Sequence, residues 1–171
     1  MAGASPQCET TGTHEITIRC TYTPSPPSLS GPQNAPRIVL NRAELSFETA
    51  NESHMLVELE FTNAGGTSLA AAPAVSLAID DDTGRNVVRR VLAHLDLSKL
   101  HPGEHFTFSD RLLVGAFTEG RYTVSLSIPD PSHKDSPKSN VLLCSTGVPD
   151  PATGLNTIAH FSVARAIHSS R

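Results

Sequence analysis

Tryptophan is absent from this chain, and aromatic residues together make up only 5% of it, six Phe and two Tyr. Sugar rings pack against aromatic faces, so this scarcity weighs against a glycan binder built on stacked rings. Basic residues are also few. Thirteen Lys and Arg stand against 17 Asp and Glu, for a formal charge of −4. A nucleic-acid binder carries a basic face, so that class is set aside. No apolar run approaches the roughly 20 residues that span a bilayer, so no membrane partner is expected. The first residues, Met1 to Pro6, lack the basic and apolar regions of a secretory signal. The sequence leaves the compartment unassigned.

Catalytic signatures are missing as well. There is no Gly-x-Ser-x-Gly, no phosphate loop and no paired-cysteine zinc motif. Eight histidines are present, but His101 and His105 are separated by Pro102-Gly103, which prevents a helix from bringing them onto one face. His14, His54, His94 and His160 fall in different segments and read as surface residues. The three cysteines, Cys8, Cys20 and Cys144, have no regular spacing. The expectation is two small core residues and one exposed tail thiol. A Cys8–Cys20 bridge is the alternative for a secreted protein.

What is present is alternation. Ile16, Ile18, Cys20 and Tyr22 alternate with polar residues, as do Met55, Val57, Leu59 and Phe61, and Tyr122, Val124, Leu126 and Ile128. A period of two with one apolar side is the mark of a half-buried strand. Further strands are expected over Ile38–Phe47, either broken or double, and over Val75–Ile79, Val87–Leu92, Phe106–Val114, Val141–Cys144 and Thr157–Arg165. The Asp80-to-Gly84 turn joins two of these as a hairpin, and a short helical turn fits Leu97–Leu100 before Pro-Gly stops it. With 13 prolines and 11 glycines as punctuation, the pattern predicts an all-β fold. Its expected form is an immunoglobulin-like antiparallel β-sandwich of about eight or nine strands. Residues 1–12 read as a flexible tail and 13–36 as a strand followed by a proline-rich linker. Residues 37–165 read as the sandwich and 166–171 as a C-terminal tail.

The stretch from Gly120 to Asn156 carries a resemblance. Gly120, Tyr122, Leu126 and Pro129-Asp130-Pro131 are followed by a variable loop, an apolar run, Gly147-Val148, and then Thr153-Gly154 and Asn156. This order resembles the C-terminal β-sandwich region of the family grouped as domain of unknown function 4832. Cys144-Ser145 departs from it, since the family more often has Ala-Asn there. Members usually place the sandwich after a barrel resembling glycoside hydrolases, and this chain has no room for a barrel of about 250 residues. The resemblance therefore implies a carbohydrate-associated module without the barrel's catalytic carboxylates.

Asp80, Asp81 and Asp82 are the candidate metal ligands. Consecutive carboxylates suit calcium, but the spaced ligands and terminal glutamate of a helix-loop-helix site are missing. Turn chemistry accounts for the same residues. No catalytic residue and no cofactor is assigned. The leading function is a non-catalytic module with a carbohydrate or protein partner. A structural or protein-interaction sandwich using an edge strand is the alternative. A small enzyme with a pocket in the sandwich is the third. Asn51-Glu52-Ser53 is a glycosylation sequon, informative only in a secreted chain.

Overall fold

A computed structural model describes residues 6–12, 15–26, 34–48, 54–131 and 140–164. The strands are β1 (Gln7–Thr11), β2 (Glu15–Thr21), β3 (Ile38–Glu48), β4 (His54–Asn63) and β5 (Ser76–Asp81). They continue with β6 (Asn86–Val91), β7 (His105–Leu113), β8 (Gly120–Ser127), β9 (Pro149–Asp150) and β10 (Leu155–Val163). One 3-10 turn, Leu97–Lys99, is the only helical element among the described residues. Two five-stranded sheets face each other, in the orders β1-β2-β3-β4-β7 and β6-β5-β8-β10-β9. Every pairing is antiparallel. The fold is an all-β sandwich.

Alternation produces it. Met55, Val57, Leu59 and Phe61 of β4 are fully buried, as are Val124 and Leu126 of β8 and Ile128 beyond it. These two rows come from opposite sheets into one core. Their neighbours in sequence turn outward. On the outer face of the first sheet, Arg42 sits among Glu44, Glu58 and Glu60, and Arg19 pairs with Glu44 at 2.8 Å. Solvent screens such a ladder, so the core holds the fold.

Three buried polar side chains close one end of the sandwich. Asn63 accepts from the Arg37 and Gly65 amides and donates to the Thr67 and Leu100 carbonyls. Asn156 accepts from the Leu143 amide and donates to the Leu126 and Val141 carbonyls. Ser145 bonds both the amide and the carbonyl of Leu40, each at 2.8 Å. Backbone groups that leave the ladder here would otherwise be buried unpaired. The loops press close: a Cβ on Gly65 would lie 2.2 Å from the Ala35 carbonyl oxygen.

The residues behind the family resemblance have structural work. The Tyr122 hydroxyl donates to the Thr118 carbonyl at 2.8 Å, pinning the corner that enters β8. Asp150 accepts from the Ala152 amide and the Thr153 hydroxyl, which makes the turn before β10.

Several expectations are corrected. The chain has ten strands among the described residues, because β1 and the two-residue β9 add to those read from apolar runs. Residues 7–11 are not a loose tail. They pair with β2, and Cys8 lies opposite Cys20 and is bonded to it. Every β1 side chain is exposed, so no apolar periodicity marks it. The bridge replaces the expected free thiols, leaving Cys144 alone reduced. Strand β2 is integral to the first sheet, with Ile18 and Cys20 fully buried. The Ile38–Phe47 region is one continuous strand with a register shift between Leu40 and Arg42. Val141–Cys144 is not a ladder strand. It crosses the closed end, where the Val141 amide donates to the Ile128 carbonyl and the Cys144 amide to the Ile38 carbonyl, one on each sheet. Its apolar content serves that crossing, with Leu143 buried. The expected C-terminal tail at 166–171, the sequon and most of the proline linker lie outside the described residues.

Candidate functional site

At the opposite end, the β5–β6 hairpin turns through Asp80, Asp81 and Asp82. The three carboxylates do different things. Asp81 Oδ1 accepts from the Thr83 amide at 3.0 Å, the Thr83 hydroxyl at 2.6 Å and the Arg85 amide at 3.0 Å. Its Oδ2 meets Arg85 Nε at 3.2 Å. The Thr83 hydroxyl, helped by the two amides and Arg85, holds the carboxyl below the usual aspartate range. Asp80 accepts from Asn86 Nδ2 at 2.8 Å. Asp82 is exposed. No group of three His, Cys, Asp or Glu side chains able to hold a metal occurs among the described residues.

Asp82 instead rims an open groove of about 570 Å³. Thr10 from β1, Arg121 and Thr123 from β8, and His160 and Ser162 from β10 complete its polar wall. Tyr122 and Phe161 lie at its base. Strand pairing sets this wall. β8 and β10 run antiparallel with Arg121 opposite Ser162 and Thr123 opposite His160. The Thr123 hydroxyl lies 3.1 Å from His160 Nδ1 and orients the ring, leaving Nε2 with no partner among the described residues. Farther along the same face Ser125, Ser127, Ser76 and Ala78 are buried, so the accessible part ends near Thr123. A smaller depression of about 250 Å³ shares Asp82 and Arg121 and adds Arg85 and Glu119. Arg85 is occupied by Asp81. Neither Arg121 nor Asp82 makes an ion pair with any described residue.

The aromatic rings beneath are occupied with each other. Tyr122 stacks on Phe161 at 5.0 Å, and Phe117 meets both edge-on at 5.0 and 5.3 Å. Phe47 lies 4.5 Å from Phe161. These faces make a core cluster, so the groove offers hydrogen bonding rather than ring stacking. Among the described residues the histidines form no metal-holding cluster. His105 pairs with Thr62 at 2.8 Å, His101 with Ser68 at 3.2 Å, and His160 with Thr123. His14, His133 and His168 lie outside the described residues.

Of the residues singled out in the sequence, Asp82 reaches the groove wall, while Asp80 and Asp81 serve the hairpin turn. Arg121, His160, Ser162 and Thr10 carry no motif. The one available signal is parity: Arg121 and Thr123 alternate with Tyr122 and so face outward.

No family model matches the chain, and no curated protein does. Among solved structures, chicken MD-1 complexed with lipid IVa is similar at 12% identity, with a TM-score of 0.38, over 83% of this chain and 94% of that one. No helix among the described residues is long and apolar enough to cross a membrane.

Proposed function

We propose that this protein is a non-catalytic binding module whose groove takes a carbohydrate. The observation that carries the reading is the composition of the groove wall. The Arg121 guanidinium and the Asp82 carboxylate, which make no ion pair with any described residue, stand among the hydroxyls of Thr10, Thr123 and Ser162 and the ring of His160. Paired sugar hydroxyls need donors and acceptors side by side, and a planar guanidinium and a carboxylate each bind two at once. The resemblance to the sandwich region of domain of unknown function 4832 points the same way. Asp82 and Glu119 are both exposed, whereas a glycosidic acid is kept protonated in apolar surroundings. That favours binding over cleavage.

The test is a glycan array probed with the wild-type protein, Arg121→Ala and Asp82→Asn. Both positions are exposed, so both variants should melt as the wild type does. Binding by the wild type and about tenfold or greater loss in each variant is expected, since each removes a charged hydrogen-bonding partner. A blank array, or binding indifferent to both substitutions, would sink the reading.

A further inference from the structure

Little besides its bridge holds β1 to the protein. It stands at the edge of the first sheet and pairs with β2 alone. All five of its residues are exposed, so no apolar burial anchors it. Glu9 lies opposite Arg19 in the pair, but that guanidinium already meets Glu44 at 2.8 Å. A strand with no buried side chain belongs to the low-stability end of a fold and opens locally. The Cys8–Cys20 bridge prevents that by closing a short loop.

The two cysteines are unlike. Cys8 is exposed, whereas Cys20 is fully buried in the core with Ile18 and Tyr22. That burial and the pairing with β3 fix β2 independently of the bridge. A buried free thiol packs as a small apolar residue. Opening the bridge therefore removes what holds β1 and leaves what holds β2.

β1 also has a place in the groove. Thr10 lies two residues from Cys8, on the same face of the strand. It is the one described residue of the first sheet that lines the groove; the rest of the lining belongs to β8, β10 and the β5–β6 turn.

We propose that the Cys8–Cys20 bridge is a redox latch on the groove: opening it releases β1, takes Thr10 from the wall and weakens ligand binding. That the ligand is a carbohydrate rests on the reading given above; the release of the wall does not. The chemistry is thiol–disulfide exchange with a dithiol. One thiolate of the dithiol attacks Cys8 Sγ, the accessible sulfur, and forms a mixed disulfide with it. Cys20 Sγ departs as a thiolate and takes a proton. The second thiol of the reductant then closes on the first, and Cys8 leaves and is protonated in turn. Two electrons pass to the bridge, and the dithiol becomes a disulfide.

The experiment compares the oxidised full chain, the same chain reduced with dithiothreitol, and Cys8→Ser, a change at an exposed position. Thr10→Val keeps the bridge and lacks the hydroxyl in the wall. Reduction should speed amide exchange in residues 7–11 and shift the His160 ring signals, both read by NMR without ligand. Binding on the glycan array should weaken about fivefold or more, the worth of one neutral hydrogen bond, and return on reoxidation. Cys8→Ser should match the reduced chain and ignore dithiothreitol. Thr10→Val should bind more weakly while its exchange over residues 7–11 stays slow. A blank array beside both NMR changes would remove the sugar reading and uphold the latch. Unmoved exchange over residues 7–11, release of β1 with the His160 signals unmoved, or undiminished binding by a chain that binds when oxidised would overturn it. So would loss of the whole fold on reduction.

Discussion

The Tyr22 hydroxyl donates to the carbonyl of Ile158, from just past β2 to a residue of the last strand. Ile158 is the residue at which the β8–β10 register shifts, so this bond meets the bulge from the other sheet. Burial pushes the phenol's pKa well above its ordinary value. The unfolded chain releases that proton first, so the stability is fully present below about pH 10 and is lost as pH rises from there towards the folded value. Melting temperature should fall on the alkaline side of pH 10. Tyr22→Phe should cost about 1–2 kcal/mol at neutral pH and flatten the alkaline limb. An unchanged limb would show that another group sets it.

Tyr122 is 5% exposed, stacks on Phe161 and pins the Thr118 carbonyl. Tyr122→Ala should destabilise by about 3 kcal/mol or more, and Tyr122→Phe by about 1 kcal/mol, in denaturant titrations. A loss near zero in the alanine variant would remove the ring cluster from the account of stability.

The Cys8–Cys20 bridge spans 12 residues and holds a strand that buries no side chain. A loop of this size is worth about 3 kcal/mol of chain entropy. Reduction should speed amide exchange in residues 7–11 and lower the melting temperature while unfolding stays cooperative. Deleting residues 1–12 should likewise lower the melting temperature while unfolding stays cooperative. Collapse of the whole fold on reduction would show that β1 carries more than an edge.

Asp81 and Asp150 are both held below the usual carboxylate range, the first chiefly by the Thr83 hydroxyl and the second by the Thr153 hydroxyl. A depressed folded value gives stability that is present above the unfolded value, about pH 4, and lost as pH falls through the folded one. Followed by carboxyl carbon NMR shifts, these two should titrate at lower pH than the aspartates of the denatured chain. Equal midpoints would mean the turns are open in solution.

The chain should not turn over aryl glycosides or polysaccharides. Turnover abolished by Asp82→Asn or Glu119→Gln would replace the binding module with an enzyme.

The sandwich was legible wherever one side of a strand meets the core, because burial writes a two-residue period into β4 and β8. It was illegible where that condition fails. β1 is wholly exposed and is specified by a cysteine and a neighbour. Val141 to Leu143 is apolar without being a strand, because it crosses between layers. The groove was illegible for another reason. Thr123 and His160 are 37 residues apart, and only the pairing of β8 with β10 places Arg121, His160 and Ser162 on one wall. Asp82 could be named, but its separation from Asp80 and Asp81 depends on which carboxylate the turn consumes.

The placing of β10 between β8 and β9 has a consequence for synthesis. β8 has β5 on one side from early on, but its other side waits for β10 to leave the ribosome. Until then the inner row of β4 faces an incomplete layer and Tyr22 has no carbonyl to meet. About 100 residues separate Phe61 from Val163, which at typical elongation rates is on the order of ten seconds. Through that interval the nascent chain carries an apolar surface with nothing to cover it, and that is where a chaperone would act.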